Sequence, residues 1–208
     1  MTNPPNPPFD VCEVYAEPRH RFRLRNAWTN VYEIELPSNE QTLFHRHSED
    51  TVYFVVTDAK VRETFPDKPA VITTASAGGT MCRAHRHEPL VHQVCNVGNG
   101  LMHLLGAEAI ARPPAGATAR PALDAHTLSN ESGRFRVFDV AVGAHAVTVR
   151  YEVYGILVAF VECTLGNVDP GTTGTFSVGI GPGGFMWLEP SVGVTLPPGF
   201  RGIFAQWI

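Results

Sequence analysis

No apolar run in this chain approaches the ~20 residues that a helix needs to cross a bilayer. The opening segment, MTNPPNPPFD, has neither the basic n-region nor the apolar h-region of a secretory signal. Charge is scarce, at 17% of residues and a net −4. That argues against nucleic acid as a partner. The four cysteines, Cys12, Cys82, Cys95 and Cys163, are scattered without CxxC spacing. They read as reduced thiols, mostly packing residues, in a cytoplasmic protein rather than as a disulfide framework or a zinc finger. Helical periodicity with caps is missing as well. At 208 residues the chain is one large domain or two small ones, and either can bury a core.

What is present is strand. NVYEIELP alternates, with Tyr32, Ile34 and Leu36 on one face and Glu33 and Glu35 on the other. TVYFVV and AVTVRYEVYGILVAFVE are rich in β-branched and aromatic residues, and LMHLLGAEAI is a further strand candidate. The 19 Gly and 17 Pro punctuate these runs at short intervals. The pattern predicts an all-β protein of the sandwich or barrel kind.

Residues 111–122, ARPPAGATARPA, read as a linker, and the chain on its two sides repeats. At a shift of 106, Val31 meets Val137, Tyr32 meets Phe138, Glu33 meets Asp139 and Phe54-Val55 meets Phe160-Val161. At a shift of 105, Gly78-Gly79 meets Gly183-Gly184 and Met81 meets Met186. A repeat this long is a duplicated domain, 10–115 and 124–208. The duplication acts as an internal control.

With nine histidines in 208 residues, chance gives less than one His-x-His pair, and this chain has two, His45/His47 and His85/His87. Residues i and i+2 of a strand share a face, so two imidazoles there can converge on one ion. Leu43 is expected on that face, with Phe44 and Arg46 on the other. The second copy has Tyr151 and Val153 where the first has His45 and His47. Packing alone therefore does not require the pair. A third ligand is expected from a neighbouring strand, and HQVCN offers His92, with Asn96 four residues on.

These residues resemble the two motifs of the cupins, G-x5-HxH-x3,4-E-x6-G and G-x5-PxG-x2-H-x3-N. The resemblance implies two cupin-type β-barrels (double-stranded β-helix, or jelly roll) in one chain. The N-terminal barrel would carry the metal site, and the C-terminal one would be a degenerate copy filled by Phe185, Met186 and Trp187 among others. It places His45 and His47 on the paired ligands, His92 on the third and Asn96 on the closing Asn. The Pro-x-Gly is absent, and so is the Glu at its usual spacing. Glu49 and Asp50 arrive one or two residues early, which leaves Asp50 as a fourth ligand or the site as three-His. A three-His set resembles that of iron-dependent dioxygenases and implies oxygenation of a small chelating substrate. The same ligands hold Zn, Mn, Ni or Cu. A redox-inert lyase or isomerase, in which an acid or Tyr53 moves a proton, and a non-catalytic small-molecule binder are the alternatives. The partners expected are a small-molecule substrate, no nucleic acid and no membrane, in a monomer or homodimer.

The remaining polar residues read more plainly. His85 and His87 fall on a lengthened loop at the barrel rim, though their spacing allows a rival site. His103 alternates with leucines as a satisfied wall residue, and His20, His126 and His145 lie near loops and carry no signal. Arg83 or Arg86 can fork onto a substrate carboxylate. Cys82 lies beside the proposed site, and Cys95, three residues from His92, is expected to pack.

Overall fold

The computed structural model describes residues 10–114, 123–168 and 175–208. Most of the predicted linker, residues 115–122, lies outside them. The described residues are all-β apart from one 3-10 turn, Val14–Ala16. Two compact units divide the chain, Met1–Glu108 and Ala109–Ile208.

The first unit contains β1 (Val11–Glu13), β2 (His20–Arg25), β3 (Thr29–Leu36), β4 (Phe44–His47), β5 (Thr51–Val55), β6 (Ala59–Thr64), β7 (Val71–Ala75), β8 (Thr80–Arg83), β9 (Leu90–Asn96) and β10 (Met102–Ala109). They form two five-stranded sheets, ordered β1-β4-β9-β6-β7 and β2-β3-β10-β5-β8. Apart from the β2-β3 and β6-β7 pairs, neighbours in each sheet are distant in sequence, as in a jelly roll, and β1 pairs with β4 in parallel. Strand alternation points one set of side chains inward, including Ile34, Tyr53, Val61, Met102 and Leu104. The opposite face of β3 bears Glu33, which is 5% exposed and neutralised from three sides. Arg21 lies 3.2 Å from it, Arg23 pairs with the same oxygen, and His103 Nε2 meets its other oxygen at 2.8 Å. His103 is thus satisfied by a carboxylate on the outer face of this sheet.

The second unit contains β11 (His126–Glu131), β12 (Phe135–Ala141), β13 (Val147–Tyr151), β14 (Gly155–Ala159), β15 (Cys163–Val168), β16 (Thr175–Ile180), β17 (Phe185–Leu188), β18 (Val192–Leu196) and β19 (Arg201–Trp207). Its sheets run β11-β12-β19-β14-β17 and β13-β18-β15-β16. Backbone details repeat the first unit. His20 pairs with Ile34 and His126 with Val140, and each ladder slips once, at Phe22/Leu24 and at Leu128/Asn130. Gly78 and Gly183 have φ of 82° and 80°, the left-handed turn where a Cβ is strained. One pairing read from the sequence is corrected. Val55 N–H bonds Gly79 O and Ala159 N–H bonds Gly184 O, so Val55 matches Ala159, not Val161. The second copy is two residues shorter from β13 to β14 than the first is from β4 to β5.

The interior of the second unit is apolar. Tyr151, Val153, Leu157, Leu165, Val194, Phe204 and their neighbours form one buried cluster. Of the residues expected to fill it, Met186 packs against the cluster, whereas Trp187 stacks edge-on with Trp207, centroids 5.1 Å apart. Period-two alternation is the reason: Met186 and Leu188 point in, and Phe185 and Trp187 point to the opposite face.

Candidate metal centre

Strand β4 lies beside β9 with His45 opposite His92 and His47 opposite Leu90. The i, i+2 spacing therefore brings all three imidazoles to one patch of the inner wall, where each is at least 92% buried. One ring nitrogen of each lies within 4.8 Å of the others. In the second unit Tyr151 pairs with Val192 where His45 pairs with His92, so both positions have lost their imidazole. Leu43 departs from the expected alternation. β4 begins one residue later, and the Leu43 side chain is 50% exposed while its carbonyl accepts from His45 Nδ1 at 2.9 Å.

The outer nitrogens explain the inner ones. His45 Nδ1–H is committed to Leu43 O, and His92 Nδ1–H donates to Glu63 Oε2 at 3.1 Å. His47 Nδ1 faces the Tyr53 hydroxyl at 3.2 Å. His45 and His92 consequently carry lone pairs on their inner nitrogens, and His47 Nε2 faces His92 Nε2 across 3.2 Å. That separation suits two nitrogens sharing one ion at ~2.1 Å each. Burial, followed by the neighbouring His20 and His92 rings, pushes His45 down to about 3; burial, then His92 and His45, holds His47 well below its ordinary value. Both are neutral near pH 7, the state in which imidazole binds metal. The residues present fit a divalent transition metal.

Around this set lies a cavity of about 290 Å³. Three polar groups that line it escaped the sequence reading. Glu63, inward on β6, orients His92, and its carboxyl is held below the usual range chiefly by that hydrogen bond. His85 is 4% exposed rather than at the rim. Its Nε2 lies 3.4 Å from Tyr53 Oη, and its ring stacks on His47 with centroids 5.1 Å apart. His20, at the start of β2, meets the His45 ring edge-on at 4.7 Å. The signal that finds His20 is the repeat itself, since His126 stands 106 residues on. Glu63 is found by parity with Ala59 and Val61.

Other candidates lie elsewhere. Asp50 is outside the three-histidine set, its Oδ1 accepting from the backbone N–H of Arg86 at 3.0 Å. Glu49 pairs with the Arg86 guanidinium. These bonds hold both acids at the turn before β5, where they fasten the 84–88 loop. Tyr53, the first inward residue on β5 after that turn, takes the place by His47. His87 is exposed. Arg83 lines the cavity and touches the Met81 sulfur at 3.9 Å. Cys95 is buried, Cys82 lies on β8 opposite Val52, and none of the four cysteines is in a disulfide.

No family model and no curated protein matches the sequence. Solved structures do match the fold. Protein Ylba from E. coli superposes with a TM-score of 0.62 over 94% of this chain and 85% of its own, at 11% identity. Salicylate 1,2-dioxygenase from Pseudaminobacter salicylatoxidans gives 0.58 over 91% and 76%, at 12% identity. A cupin 2 conserved barrel domain protein from Leptotrichia buccalis gives 0.51 over 90% and 87%, at 10% identity. The chain has the cupin fold, in two copies. Within this fold the first unit gathers the three facing histidines and the second has an apolar interior. No helix among the described residues is long and apolar enough to cross a membrane.

Proposed function

We propose that this cupin is a mononuclear metal-dependent enzyme, specifically an Fe(II)-dependent dioxygenase of a small metal-chelating substrate. The N-terminal barrel is the only one that holds metal. The observation that carries the reading is the convergence of ring nitrogens of His45, His47 and His92, the last two 3.2 Å apart at Nε2, with no carboxylate among the donors. His45, His47 and His92 would hold the ion, which supplies open positions for substrate together with O2 and the electrons for O2 chemistry. A neutral donor set leaves the ion's charge uncompensated, which favours an anionic chelator. The chain's own residues do the rest. Glu63 fixes the tautomer of His92, Tyr53 hydrogen-bonds with His47 Nδ1, Arg83 adds positive charge to the wall, and Ile34, Val61 and Leu104 shield the apolar part of the substrate from water. A salicylate 1,2-dioxygenase among the structural neighbours is in keeping with this chemistry.

A redox-inert enzyme, a lyase or isomerase using zinc, manganese or nickel, is favoured by one contact. Tyr53 O–H can donate to His85 Nε2 across 3.4 Å inside the cavity, a pair able to carry a proton. Loading metal-free protein with Fe(II), Mn(II), Ni(II) or Zn(II) and screening β-diketones, thiols and hydroxy acids in an oxygen electrode separates the two. The expected result is one metal per chain, lost in His45→Ala, and O2 uptake with iron alone, abolished in His92→Ala. Two equivalents surviving His45→Ala, or anaerobic turnover with zinc, would reject the proposal.

A further inference from the structure

Among the rings that line the cavity, His20 has a capacity that the first unit does not use. Its Nδ1–H donates to Val14 O at 2.9 Å, so Nε2 carries a lone pair. Among the described residues that nitrogen has no hydrogen-bond partner. The side chain is 7% exposed, stacks on Tyr32 with centroids 5.0 Å apart, and faces the cavity beside His45. It is not one of the three histidines close enough together to share an ion. An acceptor that opens on a cavity takes its hydrogen bond from water or from the molecule that displaces the water.

The second unit supplies a donor of its own. His126 occupies the equivalent position on the equivalent strand, with its Nδ1 likewise tied to a backbone carbonyl, Asp124 O, at 2.7 Å. Its Nε2 accepts from the hydroxyl of Tyr151 at 3.0 Å. Tyr151 is the counterpart of His45. Where the chain keeps tyrosine, the protein supplies the O–H; where it has histidine, the hydroxyl is gone and Nε2 opens on the cavity.

We infer that His20 Nε2 accepts a hydrogen bond from the hydroxyl of a ligand seated beside the three histidines. The site accordingly selects hydroxyl-bearing molecules, phenols and hydroxy acids, over analogues that offer no O–H. This rests on the proposed metal site only for placing the ligand next to His45. The inference narrows the substrate class and makes His20 a specificity-determining residue.

Phenol and anisole test it, since they share a ring and differ in the O–H. Both are titrated into the full-length protein, metal-free and zinc-loaded, while the imidazole 15N resonances are followed and zinc is counted. Phenol is expected to bind about tenfold tighter than anisole, the worth of one good hydrogen bond. The His20 Nε2 resonance should move towards the protonated range with phenol and stay put with anisole. His20→Phe should keep its zinc and bring the two affinities within about twofold, and His20→Gln, which retains an acceptor oxygen, should recover part of the preference. Equal affinities in the unaltered protein, no saturable phenol binding at tens of millimolar, or an undiminished preference in His20→Phe would overturn the inference. So would loss of zinc from His20→Phe, which would make His20 a ligand. Preference for phenol in a protein that binds no zinc would sink the metal reading and leave this one standing; bound zinc without the preference would do the reverse.

Discussion

Removing the Glu63 carboxylate tests how the first unit tunes its histidines. Glu63 Oε2 accepts from His92 Nδ1–H at 3.1 Å, and Thr73 Oγ1 donates to its other oxygen at 3.4 Å. A negative acceptor at Nδ1 makes Nε2 a better donor to metal, and losing such a partner typically costs about 10–100-fold in affinity. The Glu63 side chain is 26% exposed, so water screens part of its charge and the lower end of that range applies. Glu63→Ala should therefore weaken zinc binding by about tenfold, or roughly 1.4 kcal/mol. Glu63→Gln keeps a neutral acceptor, worth about half of a charge-assisted bond, and should lose about threefold. Competition with a chromophoric zinc chelator at fixed pH measures both. An Ala variant within about twofold of the parent would refute the orienting role, and a loss beyond about a thousandfold would make Glu63 a direct ligand.

Asp50→Ala should leave the metal bound with little change in affinity while loosening the 84–88 loop, because Asp50 bonds to Arg86 N–H and not to the site; metal lost on dialysis of this variant would contradict that. Glu108, 2% exposed with Asn30 Nδ2 donating to it at 3.0 Å, is pushed up to about 7 by burial, partly opposed by that amide. Its folded pKa exceeds its unfolded one, so its contribution to stability is full below about pH 4.5 and is lost as pH rises through about 7, a swing of up to about 3 kcal/mol. Glu108→Gln should flatten the pH dependence of the urea midpoint between pH 5 and 8, and an unchanged slope would refute this.

The three central histidines were legible because strand parity makes i, i+2 a shared face and because the repeat showed Tyr151 and Val153 in place of two of them. His92 needed only a partner strand, and antiparallel pairing set it opposite His45. His20, Glu63 and His85 were not legible as site residues. Each reaches the cavity alone, from β2, from β6 and from the 84–88 loop; the repeat marks His20 and strand parity marks Glu63 only once the inward face of the strand is known. Asp50 shows the converse. Distance along the chain brought it close to a motif position, but the turn before β5 gives its carboxylate to a backbone N–H. The repeat was legible from its glycines and hydrophobic residues, yet the two-residue difference before β5 and β14 shows only in backbone hydrogen bonds.

The buried Glu33 also bears on how two like halves avoid exchanging strands while folding. β2 and β11 share a register and a slip, so each is a competitor for the other's place, the usual hazard of tandem repeats. Their side chains make the exchange unequal. β2 brings Arg21 and Arg23 to Glu33, whereas β11 has Thr127 and Ser129 at those positions and faces Asp139, which is exposed and needs no neutralising cation. If β11 docked on β3, Glu33 would keep only His103 and lose both of its arginines. The ion network on the outside of the first unit thus works as a proofreading device for strand partnership. Weakening it with Arg21→Ala and Arg23→Ala together should raise the yield of misassembled chains on refolding more than the loss of native stability alone would explain.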